Sequence, residues 1–585
     1  MTWRRVGWAS VVLLGAVGVL SWWTGHAPVA LLAASYVALL GLLARALPVR
    51  VAVSAAFVAQ QALLLALELV VPLFAGGPLR PGVALGMLLV PCLAVVPDVL
   101  LRGGGDRLRV RWSLLAAGVG AVVLVAVVRG QVAWTASGDA RNHYLFTRLV
   151  LAQGGLEDEA LSFQPLHQEA LTALLVDTHG RGTLAPGALL EHDLRALALT
   201  SLALAVAWTL ASTATLWALR DRPHWAAVAA ASLLPVAGIG LGVLLRDGFL
   251  SILVLAPLLL CALSVLAWLA TTKRTGIGVT VAVGITAAAV PLAAFTWTPH
   301  AIVVGAAALV PWRRALLSRE HHRVRLALMV AGATTGAAYF VYVVSQAAGR
   351  LVDAPGSIAA PSPVVVAVVP VLVLVIAVAR LSSAPEAVYV PYLVGSLAAA
   401  ALTVEFVITQ PDGQAWNYFP AKFAWVWLLV GLPLLLVPLA HSRTAKAWLP
   451  LVGVLGVLVV LGPIGSPLTR IHDWSKPSAG SLDLAVELGA RSERYVVYEV
   501  RPTEDRLTNF WLVAYDGETG PTRDNPFFVW AYHETGSVAD ICSLLADEPD
   551  RIVATGDPLA RTDLRDACGR EVRVRIVDGD DDQDA

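Results

Sequence analysis

Charged residues are scarce in this sequence. Only 14% of its 585 residues are charged, whereas 57% are hydrophobic, and a soluble domain carries roughly a quarter of charged residues. The formal net charge is zero, so the composition shows no basic footprint for binding nucleic acid. The deficit of charge is too large for one apolar core, and it predicts a membrane protein with many spans.

Motifs for nucleotides and metals are missing as well. The chain has no Walker P-loop, no glycine fingerprint of a dinucleotide fold, and no Cys/His spacing for zinc or haem. These absences argue against an ATP-driven pump, and they leave a secondary transporter open. Lysine is rare, because the chain contains only Lys273, Lys422, Lys446 and Lys476. A lysine at a membrane boundary is therefore an unusual choice in this chain.

Apolar runs recur along residues 1–465 and predict an all-α polytopic membrane domain of about 13–15 transmembrane helices. The runs lie near 6–23, 28–47, 51–74, 82–101, 112–130, 195–219, 224–245, 248–271, 276–296, 301–312, 325–347, 363–380, 386–408, 421–440 and 446–464. The run at 301–312 is short enough to be a re-entrant segment. The spans are largely clean of charge, which disfavours a transporter.

Basic residues in short loops predict the orientation of the chain. The segments "ARALPVR", "TTKRTG" and "RRALLSREHHRVR" fall on the same side when the spans alternate. The positive-inside rule then predicts a cytoplasmic N-terminus in a bacterial plasma membrane. The loop 131–194, the segment "ITQPDGQAWNYFPAK" and the C-terminal tail are predicted outside.

The tail has a different pattern from the rest of the chain. "RYVVYEV", "RIVATGD" and "REVRVRIVD" are typical of strands, whereas "DRLTNFWLVAYDG", "VADICSLLADE" and "PLARTDLRDACG" are typical of helices. We predict a small extracytoplasmic α/β domain over 466–577, followed by a disordered acidic tail over 578–585. An oxidising compartment favours a disulfide between Cys542 and Cys568; two buried thiols are the alternative.

The stretch "WTASGDARNHYLFTRLV" follows a predicted span and predicts a short helix over 142–152. Arg141, His143 and Arg148 lie away from its apolar face, so the helix fits a position in the membrane surface. The apolar face is formed by Leu145, Phe146, Leu149 and Val150. Asp139 is then either a helix cap or a catalytic general base.

Further ionisable and aromatic residues fall at the same predicted outer surface. Arginine and lysine at membrane depth suit a phosphate, aromatic rings suit a sugar, and a carboxylate suits a general base. Together they predict a site for a polyprenyl-phosphate sugar. The candidate residues are His167, Glu169, Arg246, Asp247, His300, Asn417, Tyr418 and Lys422.

Several of these residues have a structural alternative. Lys422 also fits a snorkelling anchor, and Arg246 with Asp247 fits a plain ion pair. His300 fits a helix start, and His143 fits a structural role. Glu405, inside the apolar run "LTVEFVI", is predicted to be buried and therefore functional.

The chain resembles the GT-C glycosyltransferases. "GDARNHY" after an outward-ending span is similar to their acidic motif, and "NYFPAKFAW" is similar to the aromatic–lysine segment of bacterial cell-wall arabinofuranosyltransferases that use decaprenyl-phosphate arabinose. The resemblance implies a GT-C-like fold in which Asp139 is the general base. Lys422 and Arg246 would bind the donor phosphate, with Asp247 as a second acidic group. Supporting contacts would come from Arg141, His143, His167, His300, Asn417 and Tyr418.

The resemblance implies a polyprenyl-phosphate sugar donor, a cell-wall glycan or lipid acceptor, and surrounding membrane lipids as partners. The resemblance implies no particular cofactor, and a divalent cation is kept as an option. Two other classes of function are kept beside this one. One is a secondary transporter or a flippase for lipid-linked sugars, and the other is a non-catalytic cell-envelope assembly protein that presents its tail to partners.

Overall fold

The structure is a computed structural model. It describes residues 27–75, 140–153, 167–176, 181–219, 249–347, 389–410, 418–436, 479–502, 504–516 and 537–577, with a few short pieces between 227 and 375. It is mostly helical (79%) and carries a small parallel sheet near its C-terminus. Among the residues described, five helices are long and apolar enough to cross a membrane. These features agree with the polytopic membrane protein that the composition predicts.

In the part of the chain that the structure describes, nine helices form a bundle, and each of them coincides with a predicted apolar run. They are α1 (Ala27–Leu43), α2 (Val49–Ala75), α5 (Pro186–Leu219), α6 (Ile252–Thr271), α7 (Ile277–Thr296), α8 (His300–Leu316), α9 (His322–Ala347), α10 (Val390–Ile408) and α11 (Tyr418–Leu435). Two shorter helices, α3 (Ala140–Gln153) and α4 (His167–Leu175), come from the first long loop. The runs at 6–23, 82–101, 112–130 and 446–464, and most of 224–245 and 363–380, lie outside the described residues.

Helix α6 forms the centre of the bundle. Its residues are apolar on every side, and all of them except Thr271 are buried, as expected for a helix enclosed by other helices. Helix α9 is different, because one side of it packs on α7 while its other side exposes apolar residues. Val330 is 51% exposed and Val341 is 64% exposed. A continuous exposed apolar face on a helix of this length suits contact with lipid.

Three basic loops lie together at one end of the bundle, which we call the basic end. A Cβ added to Gly278, the second residue of α7, would clash with the carbonyl oxygen of Ala46, so the α1–α2 loop touches the start of α7, next to the α6–α7 loop. The buried guanidinium of Arg325 donates to the carbonyl oxygens of Ala315 (2.8 Å) and Gly276 (3.1 Å), which adds the α8–α9 loop. The sequence predicts all three of these loops on one side of the membrane.

Helix α8 covers the short run at 301–312 and favours a full crossing over the re-entrant alternative. It begins at His300, beside Trp297 at the end of α7. Near its other end, Arg314 donates to the carbonyl oxygen of Ala270 at the end of α6. The helix therefore runs through the whole bundle, about 26 Å for its 17 residues. We call the end at which it starts the far end.

The described residues of the C-terminal part include three parallel strands in the order β1–β2–β3, namely β1 (Tyr495–Val497), β2 (Ile552–Thr555) and β3 (Val574–Ile576). Its helices are α12 (Ala479–Gly489), α13 (Asp505–Tyr515), α14 (Val538–Asp547) and α15 (Ala560–Cys568). The strands and helices that the sequence predicts here are observed. The side-chain amide of Asn509 bonds both the N–H (2.7 Å) and the C=O (2.8 Å) of Val497. These two bonds satisfy backbone groups at the outer edge of β1 and fix α13 against the sheet. Residues 578–585 lie outside the described part.

A disulfide joins Cys542 on α14 to Cys568 at the end of α15, with the two Cα atoms 5.1 Å apart, which is the pairing that the sequence analysis favours. Replacing both cysteines by serine should destabilise this part by about 3.5 kcal/mol, because a closed loop of this length restricts the unfolded chain. Denaturant unfolding of the full chain, followed by a fluorescence probe on the C-terminal part, measures the loss of stability. An unchanged midpoint would show that the bond does not contribute.

Candidate functional site

Helix α3 begins directly after Asp139 and is buried on nearly all sides. Tyr144 and Leu145 are fully buried, and His143 and Arg148 are almost fully buried. Burial raises the pKa of the Tyr144 hydroxyl above its usual value. The helix is where the sequence analysis predicts it, but its polar face is covered by protein and is not exposed to water. The polar face is covered because the membrane helices pack on one side of α3 and the C-terminal part packs on the other.

The C-terminal part holds α3 through α13. The ring of Trp511 meets the ring of Tyr144 edge to face at 5.8 Å, and the guanidinium of Arg141 lies 5.2 Å from the centre of the Phe510 ring. Arg148 donates a hydrogen bond to the carbonyl oxygen of Ala514. Arg141, predicted as a supporting contact of the site, therefore contacts the C-terminal part.

A buried ion cluster fastens α3 to the start of α5. Arg181 binds Asp193 with two hydrogen bonds, of 2.9 and 2.5 Å, and these bonds raise the pKa of its guanidinium. Arg148 approaches the same carboxylate at 4.0 Å, and Asp193 is fully buried. A bidentate arginine–carboxylate pair fixes geometry closely, so the Arg181–Asp193 pair fixes the segment before α5 against α5, and Arg148 adds a longer-range attraction from α3.

Five buried polar residues from three helices form what we call the His–Glu array: Gln61 and Glu68 of α2, His143 of α3, and His167 and Glu169 of α4. His143 Nδ1 contacts Glu169 Oε1. His167 Nδ1 lies 3.3 Å from Glu68 Oε2, and its Nε2 lies 3.0 Å from Gln61 Oε1. The array therefore joins the helix that follows Asp139 to the interior of the bundle.

The hydrogen bonds of His167 require either an additional proton, on His167 or on Glu68, or the opposite orientation of the Gln61 side-chain amide. Both of its ring nitrogens face oxygen atoms, but a neutral imidazole has a single N–H to donate. Either His167 is protonated, or Glu68 carries the proton, or Gln61 presents its NH2 group. The first two of these states store a proton inside the bundle, and ionisable groups at such depth are functional by default.

The array also contains polar atoms that lack partners. Oε1 of Glu68 and Oε2 of Glu169 have no hydrogen-bond partner within the described ranges, and neither have the two polar atoms of Gln168 beside the array. Burying such atoms without partners costs about 1–3 kcal/mol each. Water or a polar ligand beside the array would satisfy them.

The array lies at the far end of the bundle. Glu68 is nineteen residues after the start of α2 at the basic end, which is about 29 Å along the helix. About 10 Å of helix follows Glu68 before α2 ends at Ala75. The carboxylate is therefore inside the far half of the bundle, and Glu68 is an exception among spans that are largely clean of charge.

A second group at the far end surrounds Lys422. The Lys422 side chain is buried, with only 7% exposed, and its Nζ lies 4.8 Å from the centre of the Phe249 ring. This burial disagrees with the interpretation of Lys422 as a snorkelling anchor. An ammonium over an aromatic face is stabilised by the ring quadrupole, and more strongly where water is excluded.

Aromatic rings from five segments meet beside this lysine, and we call them the aromatic cluster: Phe249, Trp297, His300, Phe406 and Phe423. The ring of Trp297 lies 5.3 Å from that of Phe249 and 4.3 Å from that of Phe423, and His300 stacks on Phe423 at 5.1 Å. His300 is the first residue of α8 and is buried. It serves as a helix start, as one interpretation predicted, and it is also part of the cluster.

The other predicted residues have the following positions. Asp139, Arg246, Asp247 and Asn417 lie outside the described residues, and Tyr418 is the first residue of α11. The structure thus brings together His143, His167 and Glu169 in one group, and His300 with Lys422 in another. Glu405 is exposed, so its predicted burial is wrong. No cluster of three or more metal-binding side chains occurs among the residues that the structure describes.

Gln61 and Glu68 are site residues that the sequence analysis missed. They are seven residues apart in an apolar run, and this spacing places both on one face of a helix. Two polar residues with helical spacing inside a span are a readable signal of a buried partner. Their partner, His167, is about a hundred residues away, and a single sequence gives no means of pairing them.

The chain was compared with protein-family models, curated proteins and solved structures, and none of them matches.

Proposed function

We propose that the chain is a GT-C-type membrane glycosyltransferase that moves a sugar from a polyprenyl-phosphate donor to an extracytoplasmic cell-wall glycan or lipid. Arabinofuranose is the sugar that the resemblance suggests. The observation that carries the proposal is the buried Lys422, set against the aromatic cluster at the end of the bundle opposite the basic loops. Helix α3, which begins after Asp139, is held at that same end.

Lys422 would bind the phosphate of the donor. Its ammonium is in a low-dielectric environment, where attraction to a phosphate is stronger than in water, and it needs no reorganisation at the moment of reaction. The aromatic cluster offers ring faces of the kind that stack on a sugar. The apolar faces of the bundle helices would hold the polyprenyl chain.

Asp139 would act as the general base. It would take the proton from an acceptor hydroxyl as the hydroxyl oxygen bonds to the anomeric carbon of the sugar. The bond from that carbon to the phosphate oxygen breaks, and polyprenyl phosphate leaves with its negative charge facing Lys422. Arg246 and Asp247 precede Phe249 in the sequence, and we keep them as candidate contacts to the donor.

Changing Asp139 to Asn should abolish transfer while the protein keeps its fold, because Asn cannot accept the proton. A loss of about a hundredfold to ten-thousandfold in kcat is the usual size for a general base. Transfer from a radiolabelled polyprenyl-phosphate sugar to cell-envelope acceptors measures it, with Asp483→Asn on α12 as a matched control. Turnover close to wild type in the Asp139 variant would discard the assignment.

A second candidate function is a proton-coupled transporter, and the His–Glu array favours it. Chains of histidine and carboxylate inside membrane helices are typical of proton relays. Proteoliposomes that contain the protein and a pH-sensitive dye would show proton movement driven by a solute gradient. Glu68→Gln should abolish such movement, and the absence of any movement in the unmodified protein would exclude this function.

A further inference from the structure

The basic end carries a groove that neither candidate function uses. It lies between the end of α8 and the start of α9, has a volume of about 560 Å³, and opens to the surface. It is lined by Leu316, Arg319, His321, His322, Arg323 and Val324. Four of these six residues carry a basic side chain, and none carries an acid.

The charge of this groove is poorly balanced. Arg319 and Arg323 are exposed and form no ion pair within the described ranges. The nearest acid in sequence is Glu320, whose Oε2 lies 3.5 Å from a Cβ position on Gly276, so this carboxylate faces the neighbouring loop. The groove therefore keeps a net positive charge.

The position of Arg323 is unfavourable for the helix itself. Arg323 is the second residue of α9, at the helix end that carries the positive end of the dipole. Cations there destabilise a helix, and an anion stabilises it. A bound anion would offset the repulsion between the basic side chains, and it would also offset their repulsion by the positive end of the helix dipole.

An apolar surface continues from the groove along the two helices. Leu317, beside the groove, is 77% exposed, and so are Leu309 on α8 (66%) and Val330 on α9 (51%). A ligand with a phosphate head and long acyl chains matches both parts of this surface. Basic pockets next to membrane helices bind anionic lipid head groups in the same way.

We propose that the α8–α9 groove binds the phosphate group of an anionic phospholipid, with Arg319 and Arg323 as its ligands. The shared chemistry is a phosphate monoanion or dianion, so free inorganic phosphate is the competing source. The acyl chains would lie along the exposed faces of α8 and α9. The proposal does not depend on what reaction, if any, occurs at the far end.

Native mass spectrometry of the full-length protein in detergent tests the proposal, with phosphatidylglycerol and phosphatidylcholine as probes. Phosphatidylglycerol should bind with one-to-one stoichiometry, and Arg319→Gln/Arg323→Gln should weaken it about thirtyfold, since each surface arginine contributes about a fivefold factor. Lys273→Gln/Arg274→Gln is the matched control, because it removes two exposed charges from the same end outside the groove. It should leave binding unchanged, and thermal unfolding checks that both variants fold.

Two results would overturn the proposal: equal loss of binding in both double variants, or no loss in the groove variant. A third measurement separates the two sources of phosphate. If millimolar inorganic phosphate displaces phosphatidylglycerol and binds alone with the same affinity, the site is for free phosphate and the lipid assignment is wrong. If phosphate fails to compete, the acyl chains contribute and the lipid assignment holds.

Discussion

Replacing Lys422 by Met should lower transfer from a polyprenyl-phosphate sugar about a thousandfold and leave the protein folded. Removing one preorganised charge from a reacting oxygen typically costs a hundredfold to a thousandfold in kcat, and Lys422 faces the leaving phosphate in the proposed reaction. Met keeps most of the volume of the buried side chain, so its packing against Phe249 should survive. The assay is initial-rate transfer from a radiolabelled donor by purified protein in lipid nanodiscs.

A lysine at the opposite end of the bundle serves as the control for this experiment. Lys273 is an exposed lysine in the α6–α7 loop at the basic end, and Lys273→Met should leave the rate unchanged. Lys422→Arg should restore part of the activity, because arginine also binds phosphate but has a different shape. A Lys422→Met rate within threefold of wild type would show that Lys422 does not face the leaving group.

The second large effect concerns the stability of the His–Glu array. Glu68→Leu alone and His167→Leu alone should each destabilise the protein by about 3–5 kcal/mol, because each leaves a buried polar partner without its contact. The double variant should lose much less than the sum of the two, since it removes both groups together. Unfolding in mixed micelles with increasing denaturing detergent provides the four free energies of the cycle.

A distant pair serves as the reference for that cycle. Tyr392 bonds to Ser264 at 3.0 Å and is no part of the array, so Glu68→Leu and Tyr392→Phe should be additive within about 0.5 kcal/mol. Additivity of Glu68→Leu and His167→Leu as well would mean that the two residues do not interact. Glu68 and His167 would then not belong to one energetically coupled array.

The sequence predicts the bundle helices well because their signal is local. A run of about twenty apolar residues has few alternatives to a helix in a membrane, so the bounds of α6, α7 and α10 lie within a few residues of the predicted runs. The alternation of basic loops with other loops along the chain can also be read from the local sequence. It correctly places the loops around Ala46, Gly276 and Arg319 at one end.

The polar contacts within the bundle could not be predicted, since they join residues far apart in the chain. Glu68 meets His167 across about a hundred residues, and Arg148 meets Ala514 across more than three hundred. Helix α3 shows the consequence most clearly. Its amphipathic pattern indicates one buried face and one wet face, and nothing local reveals that α13 covers the second.

The central claim is that the segment after Asp139 and the segment around Lys422 share one end of the bundle, opposite the basic loops. Labelling of single cysteines with a membrane-impermeant maleimide tests it in sealed spheroplasts, in a background of Cys92→Ser and Cys261→Ser. Gly182→Cys and Thr409→Cys, both exposed near the far end, should label, whereas Thr275→Cys in the α6–α7 loop should label only after lysis. Labelling of Gly182→Cys and Thr409→Cys from opposite sides of the membrane would contradict the account.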